Sequence, residues 1–198
     1  MTLWAVPLAA LLLAAVVPTG ARHADVLIQA GHEGRPASCA RFPERRCNLG
    51  AAGERAATPL VADEAARALR AAGLLVARVP ADYDARYDVR AAIFIHFDGA
   101  DPPCTTGASI GYRTGSARAA AAWRRFYARY FPFRIMPDNF TSGLREYYGY
   151  RTVGPNDNTL VLELGEISCP RQRAWLSSRY KFLGDLIARF VLQRLGKG

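Results

Sequence analysis

Apolar residues in this chain fall into short unbroken runs rather than long alternating ones. Val26-Leu27-Ile28 is stopped by Gly31, Leu74-Leu75-Val76-Ala77 ends before Pro80, and Ala91-Ala92-Ile93-Phe94-Ile95 leads into a loop from Gly99 to Pro103. Thr159-Leu160-Val161-Leu162 completes the set, and Ala108 to Tyr112, interrupted by Ser109 and Gly111, also reads as a short strand. Runs of three to five apolar residues bounded by turn formers predict strands buried on both faces. Between them the period changes. Val61, Ala65, Leu69 and Ala72 recur at helical spacing from Leu60 to Ala72, with Gly73 as the stop. Ser116 is placed to cap a second helix running to about Tyr130, ahead of Pro132. Leu176, Tyr180, Leu183, Ile187, Val191 and Leu195 form one stripe of a closing amphipathic helix. Residues 35–53 read as a long polar loop. Residues 132–158, with Tyr147, Tyr148 and Tyr150 but no period, read as a functional loop rather than a core element. Strands alternating with helices predict an α/β fold: one domain, a largely parallel twisted sheet flanked by helices.

The 198 residues suffice for one such domain. Met1 to Val17 carries no charged side chain and is followed by the small-residue segment Pro18-Thr19-Gly20-Ala21. That run is short for a bilayer span and predicts a secretory signal peptide over residues 1–24, cut near Ala21 or Ala24, with residues 25–198 as the mature domain. No later segment is long and apolar enough to span a membrane, so no stable insertion is expected after cleavage. Four cysteines, Cys39, Cys47, Cys104 and Cys169, remain, none in a C-x-x-C pair. In an oxidising, periplasmic or secreted setting they predict two disulfides. Three pairings are open. Cys39 and Cys47 share one polar loop, and Cys104 and Cys169 each follow a strand that carries a candidate site residue, which favours 39–47 with 104–169.

A formal net charge of +9 favours polyanionic surroundings, whether nucleic acid, anionic lipid headgroups or acidic wall polymers. Only Lys181 and Lys197 are lysines, so the excess is arginine, as compositionally biased coding also produces. The basic residues form no nucleic-acid recognition motif.

The chemistry lies at the ends of three apolar runs. The first reaches Gly31-His32, the third reaches His96, and the last reaches Glu163. In open α/β sheets, sites assemble at the carboxyl ends of strands. Apart from His23, the chain has no other histidine. Two imidazoles and a carboxylate around an open fourth position make a catalytic zinc set. For the carboxylate ligand, Glu54, Glu33, Asp98 and Glu166 all qualify on residue type. No Walker loop, H-E-x-x-H, G-x-G-x-x-G or G-x-S-x-G is present.

The stretch Val26-Leu27-Ile28-Gln29-Ala30-Gly31-His32-Glu33-Gly34 resembles the opening strand and Gly-His-x-Gly motif of the zinc N-acetylmuramoyl-L-alanine amidases called amidase 3. Glu54, heading a helix that ends in Ala71-Ala72-Gly73, matches that family's glutamate ligand in register, Ile93-Phe94-Ile95-His96 its second histidine motif, and Leu160-Val161-Leu162-Glu163-Leu164-Gly165 its closing Glu-x-Gly. The chain departs from the family at Gln29 and Ala30, where aspartate and proline are usual, and at Glu33, Phe94, Asp98 and Glu166.

The resemblance implies that His32, Glu54 and His96 hold Zn2+ and that Glu163 is the catalytic carboxylate. It implies cleavage of the amide between N-acetylmuramic acid and L-alanine of peptidoglycan stem peptides. Peptidoglycan is then the partner and nucleic acid is not, and a monomer is favoured. Arg145 and Arg151 are candidate contacts for stem-peptide carboxylates. The unusual neighbours of the four residues leave two other readings: a non-catalytic peptidoglycan-binding protein, and a zinc peptidase acting on a sugar-free peptide.

Overall fold

A computed structural model describes residues 20–41 and 47–197. The expected signal peptide therefore lies almost wholly outside the described residues. The described chain forms β1 (Arg22–His23), β2 (Val26–Ala30), α1 (Glu54–Ala71), β3 (Val76–Val79), β4 (Tyr87–Asp88) and β5 (Ala91–Asp98). It continues through β6 (Ser109–Tyr112), α2 (Ala117–Tyr127), α3 (Ser142–Arg145), β7 (Thr159–Glu166), α4 (Pro170–Ser177) and α5 (Tyr180–Arg194). Five strands make one sheet in the order β3-β2-β5-β7-β6, parallel throughout except for β6. This is the single-domain α/β fold with a largely parallel sheet that the run pattern predicts.

The two faces of the sheet explain why its strands read as continuous apolar runs. Side chains alternate across a strand. Ile28 and Ala30, Ile93 and Ile95, and Leu160 and Leu162 enter a large core with α1, α2 and α5. Leu27, Phe94 and Val161 enter a second core with Leu144, Tyr150 and Val153. Residues 132–158 are thus not only a functional loop. They supply the apolar cover of one sheet face, built from short helical turns whose side chains follow no long period. At the opening edge, β1 pairs with β4, Arg22 opposite Tyr87. Cleavage after Ala21 keeps that pair, and cleavage after Ala24 removes it.

Several boundaries differ from the sequence reading. The first helix starts at Glu54, six residues before the periodic stretch and where the family resemblance puts it. Its following strand begins two residues later than expected. Gly73 takes a left-handed φ of 80°, and the Leu74 N–H bonds back to the Leu69 carbonyl, so Leu74 and Leu75 belong to the helix exit. Ser116 does sit at the start of α2, but its hydroxyl accepts the Thr159 N–H instead of capping the helix, which ends at Tyr127. The closing stripe is split between α4 and α5 by a break at Ser178 and Arg179.

Both disulfides have the favoured pairing, Cys39–Cys47 and Cys104–Cys169. The second closes 65 residues and joins the loop after β5 to the start of α4. Chain-entropy arguments put a loop of that length at about 4 kcal/mol. A Cys104→Ser/Cys169→Ser double variant is therefore expected to lose about 4 kcal/mol in denaturant unfolding. A loss below about 1 kcal/mol would contradict the estimate.

Candidate metal centre

Parallel register sets the site. Ala30 pairs with Ile95, Ile95 with Leu162, and His96 with Glu163, so three adjacent strands deliver Gly31-His32, His96 and Glu163 at one level. Strand β7 continues past Glu163 to Glu166, so the glutamate projects from within the strand rather than from its end. Gln29, His96 and Glu163 share the strand parity of Leu27, Phe94 and Val161, and so face the second core.

His32 leaves the sheet with a left-handed φ of 60°, an unfavourable conformation for a side chain with a Cβ. Gly31 lets the chain pass. A Cβ there would lie 2.3 Å from the His96 ring. A Cβ on Gly50 would lie 2.2 Å from the Glu54 carboxylate and 2.6 Å from the His32 ring. Glu54 is the first residue of α1, where the helix N-terminus favours an anion. Its Oε2 accepts the Ala51 N–H at 2.9 Å and its Oε1 the Phe97 N–H at 3.1 Å. The Thr58 hydroxyl donates to the Gly31 carbonyl at 2.6 Å and pins this helix to the end of β2.

His32, Glu54 and His96 are all buried, with ligand-type atoms within 4.8 Å of one another. His32 Nε2 lies 3.3 Å and His96 Nδ1 3.0 Å from the same atom, Glu54 Oε1. The other ring nitrogens are already committed. His32 Nδ1 is 2.6 Å from the Asn48 carbonyl, which only accepts, and 3.1 Å from Arg35 Nη1, which only donates; the shorter contact places the hydrogen on Nδ1, and Arg35 donates to the same Asn48 carbonyl. Beyond His96 runs a relay. Gln29 Nε2 donates to the Ala81 carbonyl at 3.1 Å, which leaves its Oε1 to accept the Tyr147 hydroxyl at 2.6 Å. The Tyr147 oxygen then accepts from His96 Nε2 at 2.9 Å. Burial lowers the His96 pKa, favouring the neutral ring with a lone pair on Nδ1.

Burial alone would raise the Glu54 pKa, but hydrogen bonds to His32 and His96 and their charge bring it to about 2, so it is an anion. Two imidazole nitrogens thus converge on one carboxylate oxygen, a position that a shared proton holds together here and that a metal ion would take over by displacing the proton. This donor set fits a metal ion: two histidines and one glutamate, each histidine oriented through its far nitrogen.

Glu163 stands beside this cluster. Burial, with the charges of Glu54 and Asp98, pushes its pKa well above the usual carboxylate range, and its Oε2 has no hydrogen-bond partner among the described residues. A cleft of about 390 Å³ opens over His32, His96 and Glu163, with Arg35, Tyr148 and Arg151 on its walls. Arg151 is exposed there, whereas Arg145 turns away and donates to the Asn139 carbonyl. The competing carboxylates have other work. Glu33 pairs with Arg78 at 2.6 Å, and Glu166 accepts the Cys104 and Thr106 N–H groups and the Ser168 hydroxyl. Asp98 caps the Gly99 N–H beside the cluster.

Sequence reasoning missed Gln29, Asn48 and Tyr147 as partners of the histidines. One cue was present: Gln29 is an amide inside an apolar strand, and a buried amide must find partners.

No protein-family model matches the chain, and no curated protein does. Solved structures do. An N-acetylmuramoyl-L-alanine amidase of Nostoc punctiforme superposes with a TM-score of 0.60 at 17% identity, covering 89% of this chain and 98% of that one. One from Clostridium difficile 630 gives 0.60 at 17%, covering 90% and 99%. The amidase Ami1 of Mycobacterium smegmatis gives 0.57 at 19%, covering 89% and 98%. Across nearly its whole length, the chain has the fold of N-acetylmuramoyl-L-alanine amidases.

Proposed function

We propose that this protein is an exported, zinc-dependent N-acetylmuramoyl-L-alanine amidase, with His32, Glu54 and His96 as metal ligands and Glu163 as general acid–base. The observation that carries this reading is the convergence of two oriented imidazoles and one buried carboxylate beside Glu163, at the floor of an open cleft. Two disulfides support export.

Zinc held there would supply Lewis acidity, polarising the scissile carbonyl and lowering the pKa of a water toward neutrality. The rest of the chemistry belongs to side chains. Glu163 takes the proton of the attacking water and returns it to the leaving L-alanine nitrogen as the carbon–nitrogen bond breaks. Its high proton affinity and free Oε2 suit both transfers. Glu54, ionised and held by two backbone N–H groups, supplies charge and fixed geometry. Arg151 and Arg35 give the cleft positive walls for the carboxylates of the stem peptide.

Chelation is expected to abolish release of muropeptide ends, and added zinc to restore it. Full activity after exhaustive chelation would refute metal dependence. Tyr147→Phe keeps the ring against Phe94 but removes the acceptor for His96 Nε2. Loss of such a second-sphere hydrogen bond typically weakens metal binding about 10–100-fold, and competition titration against a chromogenic chelator would measure it. Unchanged zinc affinity would remove Tyr147 from the ligand-orienting role.

A further inference from the structure

The positive charge of the chain is segregated. Residues 117–136 and 170–198 hold twelve of its 26 Lys and Arg but only one of its 17 Asp and Glu. The remainder, with fourteen cations and sixteen carboxylates, is slightly acidic. Biased coding alone would spread arginine along the chain. Here it collects on α2 and on the C-terminal helices, which pack on the same face of the sheet.

Within that surface, a groove of about 520 Å³ runs between α2 and α5, lined by Arg125, Arg129 and Arg194 over a floor of Phe126 and Phe190. No carboxylate is among its lining residues. The guanidinium groups of Arg129 and Arg189 lie 5.7 and 5.8 Å from the centre of the Tyr130 ring. Phe182, 36% exposed, packs edge-on against the same ring. Asp185, the lone acid of these segments, turns toward Arg67 of α1, 3.8 Å away. Arg124 is the paired exception, engaged with Asp138.

We propose that this α2–α5 face docks the protein peripherally on an anionic phospholipid surface. Clustered cations draw it to phosphate headgroups, each contributing appreciably within a Debye length of the surface. Exposed Phe182 and half-buried Tyr130 enter the headgroup boundary, a contribution that a water-swollen polyanion would not reward. The catalytic cleft is built on the opposite sheet face, with Val161, Leu144 and Tyr147, so docking leaves it open and turned away from the lipid. The inference stands independently of the metal reading.

The test is sedimentation of the full chain with vesicles of phosphatidylglycerol mixed into phosphatidylcholine, against phosphatidylcholine alone, at low and physiological salt. Residues 3–17 are uncharged and apolar and are expected to favour both vesicles alike, so the quantity read is the difference between them. Binding is expected to rise with the phosphatidylglycerol fraction and to fall with salt. An R125Q/R129Q/R189Q variant, altered only at exposed positions, should lose on the order of a hundredfold of that preference. Phe182→Ser should weaken binding without changing its salt dependence. Single charge reversals, Arg125→Glu and Arg189→Glu, supply the same reading should the triple variant unfold. Equal binding to both vesicles, or wild-type preference in the variants, overturns the proposal. So does binding to purified anionic wall polymer without binding to vesicles.

Discussion

Glu163→Gln is expected to lose turnover by about 10²–10⁴-fold, the usual worth of general acid–base assistance, while keeping its zinc. The change is nearly isosteric and sits in strand β7, whose register with β5 depends on backbone bonds that the substitution leaves alone. It removes a carboxylate that lines the cleft and leaves the three converging donors unaltered. Metal content must be measured on the assayed sample, because lost zinc imitates lost catalysis. Near-normal turnover at full occupancy would move the role to Asp98, the other carboxylate beside the cluster.

The second large effect is loss of the metal itself. His96→Ala deletes a donor and also strands Glu54 Oε1, a buried anion that His96 and His32 help to compensate. Leaving a buried acceptor without its donor costs about 1–3 kcal/mol, and more when the acceptor is charged. The variant should therefore carry almost no zinc and unfold at lower denaturant concentration. Glu54→Gln should also lose zinc, yet without leaving an unpaired charge, and so should be less destabilised than His96→Ala. The two glutamates thus part company: one variant loses metal, the other only rate. Full zinc occupancy in His96→Ala would refute the ligand assignment.

Much of this arrangement was legible in the sequence because burial on both faces leaves a plain mark. Val26–Ile28, Ala91–Ile95 and Thr159–Leu162 read as strands since every position in them meets a core, and the histidines stood where such runs stopped. Other parts left no mark. Pro59 and a glycine cap hid the first turns of α1, since Gly53 provides no side-chain cap and Glu54 reaches back to the Ala51 N–H instead. Choosing Glu54 among four carboxylates needed family resemblance, because spacing says nothing about which acid a helix N-terminus will aim inward. Tyr147 was out of reach. It lies in a segment whose short turns bury Leu144, Tyr150 and Val153 without any period, and its bond to His96 spans 51 residues.

The account rests most directly on which bond is cut. Purified peptidoglycan digested with the zinc-loaded protein and analysed by mass spectrometry should yield glycan strands with free muramoyl lactate carboxyls and stem peptides with a new L-alanine amino terminus. Cleavage inside the stem peptide with the lactyl amide intact, or no cleavage by a protein at full zinc occupancy, would contradict it.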